Sequence, residues 1–353
     1  MVAYKEVTCG YKSKWLETAG PEGEIVLSSR VRLARNIRDL PFPYLASDSQ
    51  TEEVLRQVGN IYEKHAPCFD GFSFWPVKDI SSLSRQVLVE KRLVSPQLIR
   101  EPRNSAFLLH ADEAVSIMVN EEDHLRIQCL LPGLQLEAAL QEAGKYDDLL
   151  EQELDFAFHE EWGYLTACPT NVGTGLRASV MAHLPGLVLT KQINRVLAAV
   201  AQVGLAVRGL HGEGSEISGN LVQVSNQITL GQSEEEIVRN LYGVTRQIME
   251  QELQARQLML NEGRDFLADR VNRALGLLKH ALLMPAAEAM QHLSDVRLGV
   301  DLRLVEGVPA NVFKELMVMQ SPACLQLAAE RELTGLEFDR ERGRVISQYF
   351  NCR

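Results

Sequence analysis

A seven-residue stretch in the first half of the chain combines acidic and basic side chains that could do chemistry. It reads Asn120-Glu121-Glu122-Asp123-His124-Leu125-Arg126 and directly follows an apolar run that ends at Val119. Adjacent carboxylates beside a guanidinium suit a site that holds a cationic substrate next to an anionic cosubstrate. An acidic turn at the end of a strand is also a common solvated loop, and Arg126 could simply pair with its acidic neighbours.

Two arginines near the start of the chain have the spacing of a phosphate-binding pair. Arg30 and Arg32 lie two positions apart, so on an extended segment both side chains project from one face. Guanidinium groups bind phosphate oxygens through two parallel hydrogen bonds and keep their charge. The alternative is a pair of surface arginines on an edge strand.

Two glycine-containing blocks follow later in the chain. In the first, Gly173-Thr174-Gly175 precedes Arg177, and a glycine pair lets a backbone approach a phosphate while the next residues present amide donors. The second block is Arg208-Gly209-Leu210-His211-Gly212-Glu213-Gly214, whose composition favours a loop able to close over a substrate. A flexible surface hairpin would have the same composition.

These blocks resemble, in residues and in order, the guanidino (phosphagen) kinases, which move the γ-phosphoryl group of ATP onto a guanidinium nitrogen. The resemblance implies ATP and Mg²⁺ as ligands, with the metal bound through the nucleotide. It places the ATP contacts on Ser28, Ser29, Arg30, Val31, Arg32, Arg92, Arg126, Arg177, Ala178, Ser179, Val180, Met181, Arg208, Gly209, Leu210, His211 and Gly212. Arg92 stands where the family usually carries a histidine.

The same resemblance assigns catalytic roles to three residues. Glu122 is expected to act as the principal base, and Glu213 to orient the guanidinium beside it. Cys168 matches the reactive cysteine of the family, for which electrostatic positioning of the substrate is favoured over nucleophilic catalysis. Glu213 favours an arginine-like acceptor, because creatine-specific members lack a carboxylate there.

The start and the end of the chain indicate a particular branch of the family. The block around Ser28 begins almost at the first residue, so the N-terminal helical domain that closes over small acceptors is expected to be absent. The chain resembles bacterial members that phosphorylate arginine side chains of proteins. That implies protein substrates presenting arginine, an activator subunit, an ATP-driven protease that removes marked proteins, and a homodimer.

Two other functions stay open at this point. One is a phosphagen kinase acting on free arginine, and the other is a non-catalytic adaptor that binds phosphoarginine. A regulatory phosphoarginine motif of the bacterial branch corresponds here to Phe338-Asp339-Arg340-Glu341-Arg342-Gly343. Asp339 and Arg342 match it, whereas Phe338 replaces an arginine and Gly343 an alanine. The loss of one guanidinium should weaken phosphate binding, and an ordinary charged helix surface is the alternative.

The bulk composition excludes several classes of protein. A formal net charge of -11 argues against a general binder of nucleic acid or of an anionic membrane. The six cysteines form no C-x-x-C pair, which favours a reduced cytoplasmic protein without a zinc site. No apolar run reaches the roughly 18 residues that span a bilayer.

Periodicity predicts the elements that must position these residues. Short strands are expected at 24–27, 105–109, 114–119, 125–129, 187–190 and 221–229, and helices at 134–158 and 191–203. A capping box at Ser233 and Glu236 begins a long helix. The predicted fold is α+β: a catalytic domain with a largely antiparallel sheet flanked by helices (1–254), followed by an all-helical C-terminal domain (255–353).

Overall fold

The computed structural model describes residues 13–100, 104–209 and 218–351. Within these ranges the strands are β1 (Val26–Arg35), β2 (Phe72–Pro76), β3 (Ala106–His110), β4 (Val115–Val119), β5 (Leu125–Pro132), β6 (Phe158–His159), β7 (Gly163–Tyr164), β8 (Leu176–His183), β9 (Leu205–Arg208) and β10 (Leu221–Asn226). β6 and β7 form a separate hairpin, and the other eight form one sheet in the order β2-β3-β4-β5-β1-β8-β10-β9.

Helices precede, cover and follow this sheet. Their bounds are α1 (Lys14–Glu17), α2 (Asp48–Lys64), α3 (Ser82–Glu90), α4 (Pro96–Arg100), α5 (Leu136–Glu151), α6 (Pro185–Leu189), α7 (Ile193–Gln202), α8 (Glu234–His280), α9 (Ala286–Asp301), α10 (Val312–Met319), α11 (Pro322–Ala329) and α12 (Leu336–Asn351). From α8 onward the described chain is helical. The predicted α+β class, with a largely antiparallel sheet and a helical C-terminal region, is confirmed.

β1 lies in the interior of the sheet, between β5 and β8, and pairs antiparallel with both. The arginines at 30 and 32 are therefore on a central strand, so their interpretation as edge-strand residues is wrong. Alternation along β1 sends Val31 and Leu33 into the main hydrophobic core, beneath helices such as α5. Arg30 and Arg32 consequently point to the opposite face of the sheet.

That opposite face has an apolar end and a polar end. At the apolar end Leu130, Met181 and Leu221 pack with residues of the C-terminal helices, including Met290 and Phe313, in a second hydrophobic core. The polar end carries the arginines, and a cavity separates them from the C-terminal helices. Residues on the same face of a strand lie about 7 Å apart, so one strand can contribute apolar side chains at one end of this face and polar side chains at the other.

The predicted elements are confirmed where the local pattern is strong. Four strands agree within a few residues, namely 105–109 with β3, 114–119 with β4, 125–129 with β5 and 221–229 with β10. The predicted strand at 24–27 is only the start of β1. The capping box is also confirmed, since the Ser233 and Glu236 side chains bond reciprocally to each other's backbone amides.

Two predictions near the middle of the chain are wrong. The strand predicted for 187–190 is instead the end of α6, which stops at Leu189 and has Thr190 as its C-cap. Glu252 of α8 accepts hydrogen bonds from the amides of Gly186 and Leu187 at 2.9 Å each. These bonds satisfy the first turn of a helix. The helix predicted for 134–158 ends at Glu151, and the β6–β7 hairpin follows it.

Helix α8 belongs to both cores. Ile237 to Ala255 contribute to the main core, whereas Ala274 and Leu278 contribute to the second. Gly263 interrupts the helix with non-helical backbone angles (φ -158°, ψ 42°). Among the described residues, no helix is long and apolar enough to cross a membrane.

Candidate active site

Strand register brings arginines from four strands onto the polar face of the sheet. Arg32 on β1 lies opposite Arg177 on β8, and Ala34 lies opposite Arg126 on β5. Arg208 on β9 is aligned with Gln223 on β10. Because directly opposed residues of antiparallel strands share one face, these guanidinium groups converge.

Two adjoining cavities lie over this face. The small cavity, of about 240 Å³, is lined by Arg32, Ala34, Glu122, Arg126, Cys168, Thr170, Asn171, Gly175, Arg177 and Arg208. The large cavity, of about 1030 Å³, is lined by Arg30, Arg92 and Gln223 together with residues of the C-terminal helices. Arg32 and Arg208 line both cavities, so the two form one continuous site.

Electrostatics on this face favour a polyanion. Burial, and then repulsion from Arg92, Arg126 and Arg177, lowers the pKa of Arg30 to about 9. Burial also lowers the pKa of Arg92 to about 10. The Nε of Arg32 is buried without a hydrogen-bond partner among the described residues. Several phosphate groups bound here would satisfy these donors and cancel the repulsion.

The three carboxylates of the acidic turn differ in burial and in hydrogen-bond partners. Glu121 is buried and accepts hydrogen bonds from Ser95 Oγ and, at 2.8 Å, from Arg126. Glu122 is 41% exposed, faces the small cavity and contacts Arg126 Nη2 at 3.2 Å. Asp123 is buried. The interpretation of this turn as a solvated loop is wrong. The alternative in which Arg126 pairs with acidic neighbours is confirmed for Glu121 and Glu122, although Arg126 also lines the small cavity.

Glu122 is electrostatically suited to accept a proton. Its partial burial, reinforced by the negative charges of Asp123 and Glu121, raises the pKa of its carboxyl above the ordinary value. Arg126 acts in the opposite direction and keeps an anionic form favourable. A carboxylate with these neighbours can hold a cation and take up a proton from it.

The turn is fixed by contacts with the chain beyond β1. His124 Nδ1 accepts the amide of Ile37 at 3.0 Å, which leaves Nε2 to donate to the carbonyl of Pro41 at 3.0 Å. The His124 amide donates to Asn36 Oδ1 at 2.9 Å. Burial lowers the pKa of His124 to about 4, so the ring is neutral near pH 7.

Cys168 reaches the same cavity from another part of the chain. Its Sγ lies 3.1 Å from Thr170 Oγ1, just before the 3₁₀ turn Pro169–Asn171. The preceding residue, Ala167, donates its amide to Asp123 Oδ1 at 2.6 Å. One buried carboxylate thus joins the segment of Cys168 to the turn of Glu122.

The glycine pair also has a structural role that its spacing did not predict. A side chain on Gly175 would lie 2.6 Å from the carbonyl of Ala34, and one on Gly173 would lie 2.2 Å from that of Thr229. Both glycines have positive φ, +66° and +117°. They permit close approach of the chain to itself. Gly175 also lines the small cavity, so its expected approach to a phosphate stays a prediction.

The residues after the glycines do not offer free amide donors. Ala178 to Met181 lie in β8, whose backbone pairs with β1 on one side and with β10 on the other. Alternate side chains lie on opposite faces of the sheet: Ser28, Ser179 and Met181 line a small void beside Arg30 and Arg92, whereas Val31, Ala178 and Val180 face the main core. Ser29 bonds to the carbonyl of Gly133 and to the amide of Gln135, which braces the start of α5.

The last block falls partly outside the described residues. Arg208 and Gly209 line the large cavity, and Ser218 lines it where the described chain resumes. Leu210, His211, Gly212 and Glu213 lie outside the described residues. Arg92 is placed in the large cavity near Arg30, and its backbone carbonyl accepts a hydrogen bond from Gln128 Nε2 at 2.9 Å.

Comparison with known proteins identifies the chemistry of this arrangement. Residues 53–255 match the profile described as ATP:guanido phosphotransferase, C-terminal catalytic domain. The chain belongs to this family. It is accordingly an ATP-dependent phosphotransferase, and the expected resemblance to guanidino kinases is confirmed. Residues 264–353 match a second profile, described as Protein-arginine kinase McsB C-terminal domain.

Curated relatives cover nearly the whole chain. A protein-arginine kinase of Moorella thermoacetica is 51% identical over 340 residues, which are 95% of this chain and 97% of that protein. The protein-arginine kinase of Bacillus subtilis is 47% identical over 337 residues, which are 95% of this chain and 93% of that protein. The solved structure of lombricine kinase is 23% identical, covers 69% of each chain and has a TM-score of 0.56, a likeness that concerns the fold.

Some residues at the site of this phosphotransferase belong to no motif that the sequence analysis identified. Gln223 accepts a hydrogen bond from Arg30 at 3.5 Å, and Asp123 with Asn36 braces the acidic turn. The sequence contained a sign of the position of Gln223. It is the polar residue between Val222 and Val224 in a predicted strand, so its side chain is expected on the face opposite theirs. Asp123 could not be separated from Glu121 and Glu122 without the tertiary contacts.

Residues 338–343, which correspond to the regulatory phosphoarginine motif, make contacts within the C-terminal helices. Arg342 is buried and donates to the carbonyls of Met284 at 2.9 Å and Gln320 at 3.2 Å, and to Asp339 at 2.8 Å. Phe338 packs beside Leu325 and Val345 in a small apolar cluster. A side chain on Gly343 would lie 3.0 Å from the carbonyl of Leu282. Because Arg342 is buried and bonded to the chain, it is not part of an ordinary charged helix surface.

Proposed function

We propose that this enzyme transfers the γ-phosphoryl group of ATP to the guanidinium of arginine side chains in proteins. One observation carries the proposal: Glu122 and Cys168 share the small cavity with Arg126 and Arg177. Carboxylate and sulfur suit a guanidinium acceptor, and the arginines suit a phosphoryl donor. The two reactants would meet between these groups.

The proposed reaction is an in-line displacement at phosphorus. A guanidinium nitrogen of the acceptor attacks the γ-phosphorus, an N–P bond forms, and the bond from the γ-phosphorus to the bridging oxygen breaks. ADP leaves with the electron pair of that bond. The proton on the attacking nitrogen passes to the carboxylate of Glu122, whose exposed face lines the cavity.

The arginines would stabilise the charge that moves from acceptor to leaving group. Arg32 and Arg208 line both cavities, so we assign them to the phosphate chain where it crosses between the two. Arg126 and Arg177 line only the small cavity and are assigned to the transferring group. Arg30 and Arg92 line the large cavity and are assigned to the rest of the nucleotide.

Glu213 and Cys168 complete the proposed acceptor site. Cys168 would hold the guanidinium through its sulfur, without forming a covalent intermediate. Glu213 is proposed as the second carboxylate, from the family resemblance alone, since it lies outside the described residues. Two carboxylates on one planar cation would fix which nitrogen faces the phosphorus.

Magnesium is expected to enter with the nucleotide. Among the described residues, no three His, Cys, Asp or Glu side chains lie together so as to hold a metal ion. The phosphate oxygens of ATP would therefore be its ligands, where it would neutralise part of their charge.

The choice of a protein acceptor rests on the relatives. Those from Moorella thermoacetica and Bacillus subtilis are named protein-arginine kinases and match this chain over almost its full length. The proposal also extends, by resemblance, to an activator subunit, an ATP-driven protease, a homodimer and a cytoplasmic location. The division into a catalytic domain (1–254) and a helical domain (255–353) is part of the same proposal.

A parallel assay with two acceptors tests the function. The enzyme is incubated with MgATP and either an unfolded arginine-rich protein or free arginine, and phosphoarginine is measured by mass spectrometry and by acid lability. Phosphate on protein arginines supports the proposal. Consumption of ATP with free arginine alone would replace it by a phosphagen kinase.

Matched variants make this assay specific. Glu122→Gln should abolish the product, whereas Glu137→Gln, at an exposed position in the first turn of α5, should not. ATP binding without any product in the wild type, tested with an activator supplied, would favour the non-catalytic adaptor.

A further inference from the structure

The C-terminal helices form one wall of the large cavity. Arg30 and Arg92 line it from the catalytic side, while Met290 of α9 and Met317 of α10 line it from the helical side. Its volume of about 1030 Å³ exceeds that of the small cavity, which is about 240 Å³. The phosphate chain would enter the large cavity from the shared arginines, so the base of the nucleotide would lie toward the helical wall.

This wall has the chemistry of a base-binding surface. Its apolar part comes from Met290, Met317 and Val318, and flexible methionines adapt to the flat face of an aromatic ring. Binding pockets of this kind usually add a few fixed polar groups that orient the ligand. On the helical side Gln320 is a polar lining residue with a side-chain amide.

Gln320 is held firmly and lacks a partner for its side-chain oxygen. It is 4% exposed, and its Oε1 is buried without a hydrogen-bond partner among the described residues. Its backbone amide donates to Leu316 at 3.0 Å, and its carbonyl accepts from Arg342 Nε at 3.2 Å. A buried amide oxygen without a partner is unfavourable unless a ligand supplies one.

A second contact fixes this region relative to the catalytic strands. Glu90, at the end of α3, accepts the amides of Ala323 and Cys324 at 2.8 and 2.9 Å, at the N-terminus of α11. Glu90 lies two residues before Arg92. Two contacts therefore fix the backbone around Gln320. Arg342 binds the carbonyl of Gln320 itself, and Glu90 binds the start of α11, which follows it.

We propose that Gln320 hydrogen-bonds to the edge of the adenine base, and that Arg342 positions it through its backbone carbonyl. Adenine presents an amine donor at position 6 beside a ring-nitrogen acceptor, and a glutamine amide matches this pair with one acceptor and one donor. The helical region then contributes directly to nucleotide affinity. This inference rests on the use of ATP by the family and is independent of the proposed protein acceptor.

Direct nucleotide binding tests the contact without any acceptor. Calorimetry on the full chain compares MgATP with the magnesium complex of purine riboside triphosphate, which lacks the 6-amino group. The wild type should bind ATP about fivefold more tightly, as expected for one hydrogen bond. Gln320→Met, which keeps the length of the side chain and removes both polar atoms, should bind the two nucleotides alike.

Two further variants decide the interpretation. Gln320→Glu keeps an acceptor and should retain a preference for ATP, whereas Gln326→Met on α11, outside the cavity lining, should behave as the wild type. An unchanged preference in Gln320→Met overturns the proposal. Thermal unfolding is recorded for each variant, and if Gln320→Met is unstable, Gln320→Ala takes its place with the same criterion.

The positioning role of Arg342 has its own readout. Arg342→Met should reduce the preference for ATP over purine riboside triphosphate, and it should have no additional effect on that preference when Gln320 is already methionine. Arg342→Lys should restore part of it. A residue with only a structural role would lower the unfolding temperature and leave the preference unchanged, which would overturn this part of the proposal.

Discussion

Asp123 Oδ1 accepts the backbone amide of Ala167 at 2.6 Å, and this bond joins the segment of Cys168 to the turn of Glu122. The same oxygen also accepts from Asn36 Nδ2 at 2.7 Å, while Oδ2 has no partner among the described residues. Glu122 is next to Asp123 and Cys168 is next to Ala167. The separation of Glu122 and Cys168 is therefore set by a residue that does not itself line the small cavity.

Asp123→Ala should lower the turnover number more than it raises the KM for ATP. It leaves the Ala167 amide without its acceptor and removes one of the two acceptors of Asn36 Nδ2, which should also lower the free energy of unfolding by about 1–3 kcal/mol. Asp123→Asn keeps one oxygen at this point and should retain most activity. Steady-state kinetics with urea unfolding measures both effects, and equal turnover numbers for Asp123→Ala and the wild type would contradict the bracing role.

Glu122→Gln should remove phosphoryl transfer and leave ATP affinity nearly unchanged. The substitution preserves size but removes the base, a loss typically worth about 10²- to 10⁴-fold in rate. Single-turnover kinetics measures transfer, and calorimetry measures ATP binding. A parallel loss of both would instead implicate folding or the nucleotide cavity, and Glu137→Gln serves as the exposed control.

Stability should fall when the pH is lowered from about 6.5 to 4, in part because of His124. Burial lowers the pKa of this ring to about 4, so between these values the unfolded chain binds a proton that the folded chain does not. Acid therefore favours unfolding, by up to about 3 kcal/mol for one such ring.

His124→Gln removes the titrating ring, so its unfolding free energy should depend less on pH across that window than the wild type's. Urea unfolding at several pH values measures the difference. His183, whose pKa burial also lowers, stays in both proteins and shifts both curves in the same direction. Identical pH slopes would show that His124 does not titrate as described.

Gly175→Ala should destabilise the fold and reduce activity, whereas Gly144→Ala should do neither. At Gly175 the φ is +66° and a methyl group would lie 2.6 Å from the Ala34 carbonyl, so the cost should exceed about 1 kcal/mol. At Gly144 in α5 a methyl group has open space and should stabilise by about 0.5–1 kcal/mol. Thermal unfolding distinguishes the two, and equal shifts would contradict the crowding at Gly175.

The sequence by itself indicated the family and the face of β1 on which its arginines lie. Alternation along one strand is local, and it placed Arg30 and Arg32 on one face and Val31 on the other. The order of the four blocks indicated the family, and the strong apolar runs before and after the acidic turn predicted β4 and β5. Strand alternation and apolar runs can be predicted because they depend on residues that are adjacent in the sequence.

The tertiary structure alone decided what those residues contact. The segment just before Thr190 is helical because Glu252, far along the chain, accepts the amides of Gly186 and Leu187 in the first turn of α6. Gly175 approaches the carbonyl of Ala34, Asp123 braces the segment of Cys168, and Arg342 turns inward to Gln320. Strand register and helix docking depend on long-range packing, because segments separate in sequence are brought into contact only when the shared cores form.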